Sequence, residues 1–161
     1  MSRLPTILGC CVVFNARFGA EQYFAPQAFS EVLAASSKVP CCINHIRSLC
    51  IADSVELWTD DIGLWCRIRP RPCLVSKLLL SAMAAGHFRE MSLTFDAGTR
   101  DILHGEYAKE IHTVTRLFEV SLVWKAACRK TTARLVTPYR DAIIPDAYDR
   151  LQRISYTRQT A

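Results

Sequence analysis

Residues 72–95 read PCLVSKLLLSAMAAGHFREMSLTF, and the change of period inside them sets the fold class. From Pro72 to Gly86 the apolar residues Leu74, Val75, Leu78, Leu79, Ala82 and Met83 recur at three- and four-residue steps, the stripe of an amphipathic helix. Gly86 is a natural stop for it. Over Glu90–Phe95 the period becomes two: Met91, Leu93 and Phe95 alternate with Ser92 and Thr94, as in a half-buried strand. A helix running straight into a strand fixes that strand's position. Ser92 then has a defined place on the strand's polar side, where it either faces water in the ordinary way or serves as a nucleophile.

Outward from this stretch, strands dominate. Leu8–Phe14 is a buried-type apolar run, Asn15–Gln22 reads as a polar turn, and Val39–Asn44 is a strand-like segment that delivers His45 at its end. Ser54–Thr59 and Gly63–Arg69 flank Asp60-Asp61-Ile62-Gly63, a hairpin turn composition. Ile111–Trp124, rich in Val, Thr, Leu and Phe, is the longest strand candidate. A helix is expected to enter at Ala25-Pro26, carry Phe29, Val32 and Leu33 on one face and end near Ser36-Ser37. The stretch from Asp96-Ala97-Gly98 to Glu110 reads as polar and exposed, and a short helix is expected from Asp146 to Ile154.

Composition bounds the protein class. The 161 residues are 50% hydrophobic and 22% charged, enough to bury one good core in one domain. No apolar run approaches the roughly 20 residues that span a bilayer, and residues 1–6 lack the pattern of a secretory signal, so a cytoplasm-like compartment is expected. Of the net charge of +5, the whole excess falls after residue 124: the first 124 positions hold 12 basic and 12 acidic residues, the rest 8 and 3. Such a basic end is a solvated face or contacts an acidic surface; no motif here favours nucleic acid. Eight cysteines lack the spacing of a zinc site or a secreted disulfide framework and read as small buried hydrophobes. In the pairs Cys10-Cys11 and Cys41-Cys42, strand alternation predicts one member facing the core and the other facing away. Phosphate-binding glycine loops, Gly-x-Ser-x-Gly elbows and His-Glu-x-x-His helices are absent, and no cofactor or metal is expected.

Serine hydrolysis needs a hydroxyl, a base for its proton and a group that orients the base. Ser92, His45 and Glu119 lie on three separate strand-like segments that a sheet can bring together. Glu119 sits inside the apolar run Phe118–Trp124, where a buried carboxylate needs a partner; the alternative is a glutamate on the wet face of an edge strand. A thiol nucleophile is disfavoured, because Cys41 and Cys42 share a strand with His45 and are badly placed to reach its ring.

Six segments, in order, resemble the prohead maturation proteases of tailed bacteriophages: GCCVVFN (9–15), APQAF (25–29), INH (43–45), Gly63-Leu64, GHFREMSLTF (86–95) and FEVSLV (118–123). The resemblance covers about positions 8–130. It implies an α+β fold related to the herpesvirus assemblins, a mostly antiparallel β-barrel flanked by helices, with a catalytic domain over 1–130 and a basic, partly helical or mobile tail over 131–161. It implies a serine endopeptidase that removes scaffold segments from the capsid protein precursor inside the assembling prohead, in the bacterial host cytoplasm, and often cleaves itself. Oligomerisation is left open, with no membrane or nucleic-acid partner expected. Matched position by position, His45 is the family's histidine after Asn, Ser92 its serine after Met and Glu119 the glutamate of Glu-Val-Ser; Arg129 is a candidate to support the oxyanion site. The chain departs from the family where Asp is replaced by Ile46, a Leu-Gly by Ile51-Ala52, two glycines by Glu90 and Thr94, and Pro-Ala by Ala126-Ala127. Those departures frame the alternative: a catalytically inactive scaffold-binding assembly protein of a decayed prophage.

Overall fold

A computed structural model describes residues 4–19, 21–102 and 109–161, with only the backbone of 99–102. Eight strands and three helices occur there in the order β1 (Ile7–Val13), β2 (Gln22–Phe24), α1 (Ser30–Ala34), β3 (Cys41–Ile43), β4 (Glu56–Thr59), β5 (Gly63–Ile68), α2 (Leu74–Ala84), β6 (Glu90–Ile102), β7 (Lys109–Val123), β8 (Thr132–Leu135) and α3 (Ala147–Gln159). The helix-to-strand switch at 72–95 is α2 followed by β6. Gly86, at φ +97°, closes α2 with a Schellman pair, its N–H donating to the Met83 carbonyl (2.9 Å) and that of His87 to the Ala82 carbonyl (2.9 Å).

The α+β class holds, and no closed barrel is found among the described residues. Among the described residues the strands form two four-stranded sheets: β4-β5-β1-β8, and one built on the long β7, which pairs β6 along one edge and β2 and then β3 along the other. The pairing of β7 with β6 is antiparallel and with β2 and β3 parallel. Between β6 and β8 the two sheets meet through side-chain and single backbone bonds rather than a strand ladder. The buried Thr131 hydroxyl accepts the Met91 N–H (3.0 Å) and lies equally close to the Met91 carbonyl, occupying the two groups that a neighbouring strand would take. The Ala133 N–H to Arg89 carbonyl bond, 2.7 Å, bridges the same seam.

Other differences from the sequence reading have similar causes. Residues 25–28 do not start a helix, because the Ala25 N–H donates to the Ile111 carbonyl and the Ala28 carbonyl accepts the Val114 N–H; only five residues of α1 remain helical. β2 lies at the end of the expected polar turn, held by Lys109–Ile111. The polar stretch after Asp96 continues β6 to Ile102, while 103–108 lie outside the described residues. Residues 131–161 are no detached tail: β8 pairs with β1, and α3 packs on α2 with Leu151 fully buried. Both members of each cysteine pair are buried, since these strands are covered on both faces. Cys42 is joined to Cys50 in a disulfide rather than standing free. No described helix is long and apolar enough to cross a membrane.

Candidate active site

β3 ends in two successive left-handed residues, Asn44 (φ +49°) and His45 (φ +61°). Asparagine tolerates this region; histidine adopts it at a cost of about 1–3 kcal/mol and needs surroundings that enforce it. They are present. The Asn44 N–H donates to the Leu122 carbonyl (3.0 Å), the Asn44 side-chain oxygen accepts the Trp124 N–H (3.2 Å), and the His45 N–H donates to the Ser121 hydroxyl (3.1 Å). The turn is thereby riveted to the end of β7.

β7 supplies the acid. Glu119 keeps 5% of its side chain exposed and is surrounded by donors: the His45 Nδ1–H at 2.7 Å and the Thr94 hydroxyl at 2.6 Å on Oε1, and the Ser121 hydroxyl on Oε2. Burial pushes the Glu119 carboxyl up, and hydrogen bonds from His45, Ser121 and Thr94 outweigh it, leaving the group below its ordinary value of 4.5. Glu119 is therefore an anion at neutral pH. Its bond to Nδ1 selects the tautomer with the proton there and leaves Nε2 with a free lone pair on a ring that is 41% exposed, the form a general base requires.

β6 supplies the serine. Ser92 pairs with Ser121 and Thr94 with Glu119 in an unbroken antiparallel register, so all four side chains project from one face of the β6-β7 ribbon, the face that holds His45. Ser92 is half-buried, borders a mostly apolar hollow with Leu93, Phe95 and Val13, and makes no hydrogen bond among the described residues. His45 and Glu119 are thus brought into contact, with Ser92 beside them but not bonded to His45. Arg129 pairs with Glu90 (3.1 Å), two residues before Ser92 on β6, and the other oxygen of Glu90 accepts the Ala126 N–H (2.7 Å).

Neither Thr94, which stands in the sequence only as a replacement for a family glycine, nor Ser121 is a site candidate by sequence, although the two-residue period places each beside one, Thr94 after Ser92 and Ser121 after Glu119. The cysteines near His45 offer no thiolate, because burial raises the Cys41 thiol and Cys42 is disulfide-bonded.

A carboxylate-held histidine thus lies over the face of the β6-β7 ribbon that also bears a strand serine. The sequence matches the Caudovirus prohead serine proteases over residues 3–150, and the chain belongs to that family. Kaposi's sarcoma herpesvirus protease in complex with a hexapeptide phosphonate inhibitor has the same fold at 14% identity, with a TM-score of 0.55 over 94% of this chain and 77% of that one. The same virus's protease with an allosteric inhibitor gives 15% identity and a TM-score of 0.48 over 93% and 89%. No curated protein matches the sequence.

Proposed function

We propose that this chain is a serine endopeptidase that cuts the capsid protein precursor and its scaffold segment inside the assembling prohead, and also cuts itself. The carrying observation is the 2.7 Å hydrogen bond from His45 Nδ1 to the buried Glu119 on the ribbon face that bears Ser92. In this reading His45 Nε2 takes the Ser92 proton as the oxygen attacks the peptide carbonyl, then returns it to the leaving amine. Glu119 holds the ring's orientation and stabilises the imidazolium. Backbone N–H groups receive the oxyanion, and Arg129 supports them by tying the 126–129 segment to Glu90 rather than by pointing at the oxygen.

Co-expression with the capsid precursor from the same phage, followed by mass spectrometry of both proteins, tests this. Wild type should yield shortened precursor and a shortened protease. Ser92→Ala should leave both intact, a loss of about a millionfold in turnover, and Glu119→Gln should cost about ten-thousandfold. Equal processing by wild type and Ser92→Ala removes Ser92 from its role. Intact precursor with wild type, together with co-assembly, would establish the inactive scaffold-binding protein instead.

A further inference from the structure

Beside the Glu119 end of the site lies an open cleft of about 400 Å³, floored by Thr115–Glu119 of β7 and walled by Ser37, Lys38 and Arg47. Its lining carries three cations and one acid, and Asp96, opposite Arg116 in the β6-β7 register, is not among them. Lys38, Arg47 and Arg116 are exposed and make no ion pair among the described residues, whereas Arg67 and Arg69 share Glu56, Arg71 takes Asp53 and Arg129 takes Glu90. Arg116 is steadied over the Phe118 ring, 4.5 Å from its centre. A fourth cation, Arg158 of α3, reaches the same neighbourhood by donating to the Ser48 carbonyl (3.2 Å). The cleft's single acid, Glu119, accepts three hydrogen bonds and pairs with His45 rather than with these cations.

The register gives the distance to the reacting serine. Ser121 pairs with Ser92, and the cleft floor runs from two to six residues back along β7, about 7–20 Å at 3.3 Å per residue. An extended peptide covers that span in two to six residues.

Resting on the protease reading above, we propose that this cleft is a substrate subsite for acidic side chains two to six residues from the scissile bond, read by Lys38, Arg47 and Arg116. Acidic segments of the scaffold would be drawn to it at long range and held in register, which raises binding more than turnover.

Binding is measured first on the full-length Ser92→Ala chain, so that the result does not depend on cleavage. Fluorescence anisotropy compares a labelled ten-residue Glu-Ala repeat with its Gln-Ala counterpart. The acidic peptide should bind about fivefold tighter or more, the sum expected of a few exposed ion pairs. The advantage should shrink as salt rises from about 20 to 300 mM. Arg47→Ala and Arg116→Ala, both surface changes whose folding is checked by circular dichroism, should each remove part of it, as should Lys38→Ala. On the active chain the same variants should raise KM for the capsid precursor and leave kcat near wild type. Equal affinity for the two peptides overturns the proposal, as does an advantage that all three variants preserve. Tighter binding of a duplex DNA oligonucleotide that displaces the acidic peptide also overturns it, in favour of a nucleic-acid surface. Loss of Ser92-dependent cleavage with the peptide preference intact would remove the protease reading alone.

Discussion

At the scale of single residues, Glu119 illustrates how a carboxylate survives inside a strand. Three donors converge on it, and their combined effect exceeds the desolvation that would otherwise neutralise it. A depressed folded-state pKa has a signed consequence for stability. The contribution is fully present above the unfolded value of 4.5 and is lost as pH falls through the folded value, because the unfolded chain binds the proton more readily. The melting temperature of wild type should therefore drop between neutral pH and pH values below 4.5 by more than that of Glu119→Gln, which lacks this titration; parallel curves would mean that the donors do not hold the charge. Legibility at this scale was partial. The apolar neighbours of Glu119 signalled that a buried carboxylate would need partners, and His45 was the candidate. Thr94 and Ser121 stayed hidden because a hydroxyl on a strand has the same sequence signature whether it meets water or a carboxylate, and the register that separates the two cases joins segments far apart in sequence.

At the scale of elements, the first turn of β6 is set by parts that touch it side-on. Met91, 1% exposed, packs its sulfur against the Cys11 and Cys66 thiols (3.8 and 3.7 Å) and over Gly9, where a β-carbon would overlap it. Thr131 holds the Met91 N–H from the other side. Thr131→Val keeps the shape of the side chain and removes the hydroxyl, leaving a buried N–H unsatisfied at a cost of about 1–3 kcal/mol. It should lower the urea midpoint and reduce turnover, since the neighbouring residue is Ser92, while Thr131→Ser should retain both. A Thr131→Val chain as stable and as active as wild type would show that the packing around Met91 suffices. The sequence was most informative where an element is decided locally: α2 and its Gly86 stop, the β4-β5 hairpin around Asp60–Gly63, and the long apolar β7 all stand within two or three residues of their expected bounds. It was least informative at β2 and β8, three- and four-residue strands that exist because β7 and β1 offer them edges.

At the scale of the whole molecule, alternation identifies strands but not how their outer edges are used, so a barrel and two packed sheets share one sequence pattern. The same limit bears on the division expected at residue 130. Basic composition marked the end of the chain as a tail, yet three apolar contacts tie it to the core: Ala133 in the β1-β8 ladder, Leu151 at 0% exposure, and Ala147 at the start of α3. Removing residues 131–161 would strip the partner of Ile7–Cys10, uncover the α2 face beneath Leu151 and delete the Thr131 hydroxyl that holds Met91. A chain ending at Lys130 should therefore lose its cooperative thermal transition and should not cleave the capsid precursor. Leu151→Ala, a milder probe of the same docking, should cost about 2–5 kcal/mol in urea unfolding. A 1–130 fragment that melts cooperatively near the full-length temperature would restore the boundary at 130 and make the last 31 residues an appendage. Loss of the cooperative transition in the 1–130 chain, together with that cost in Leu151→Ala, would make the end of the chain part of the folded unit.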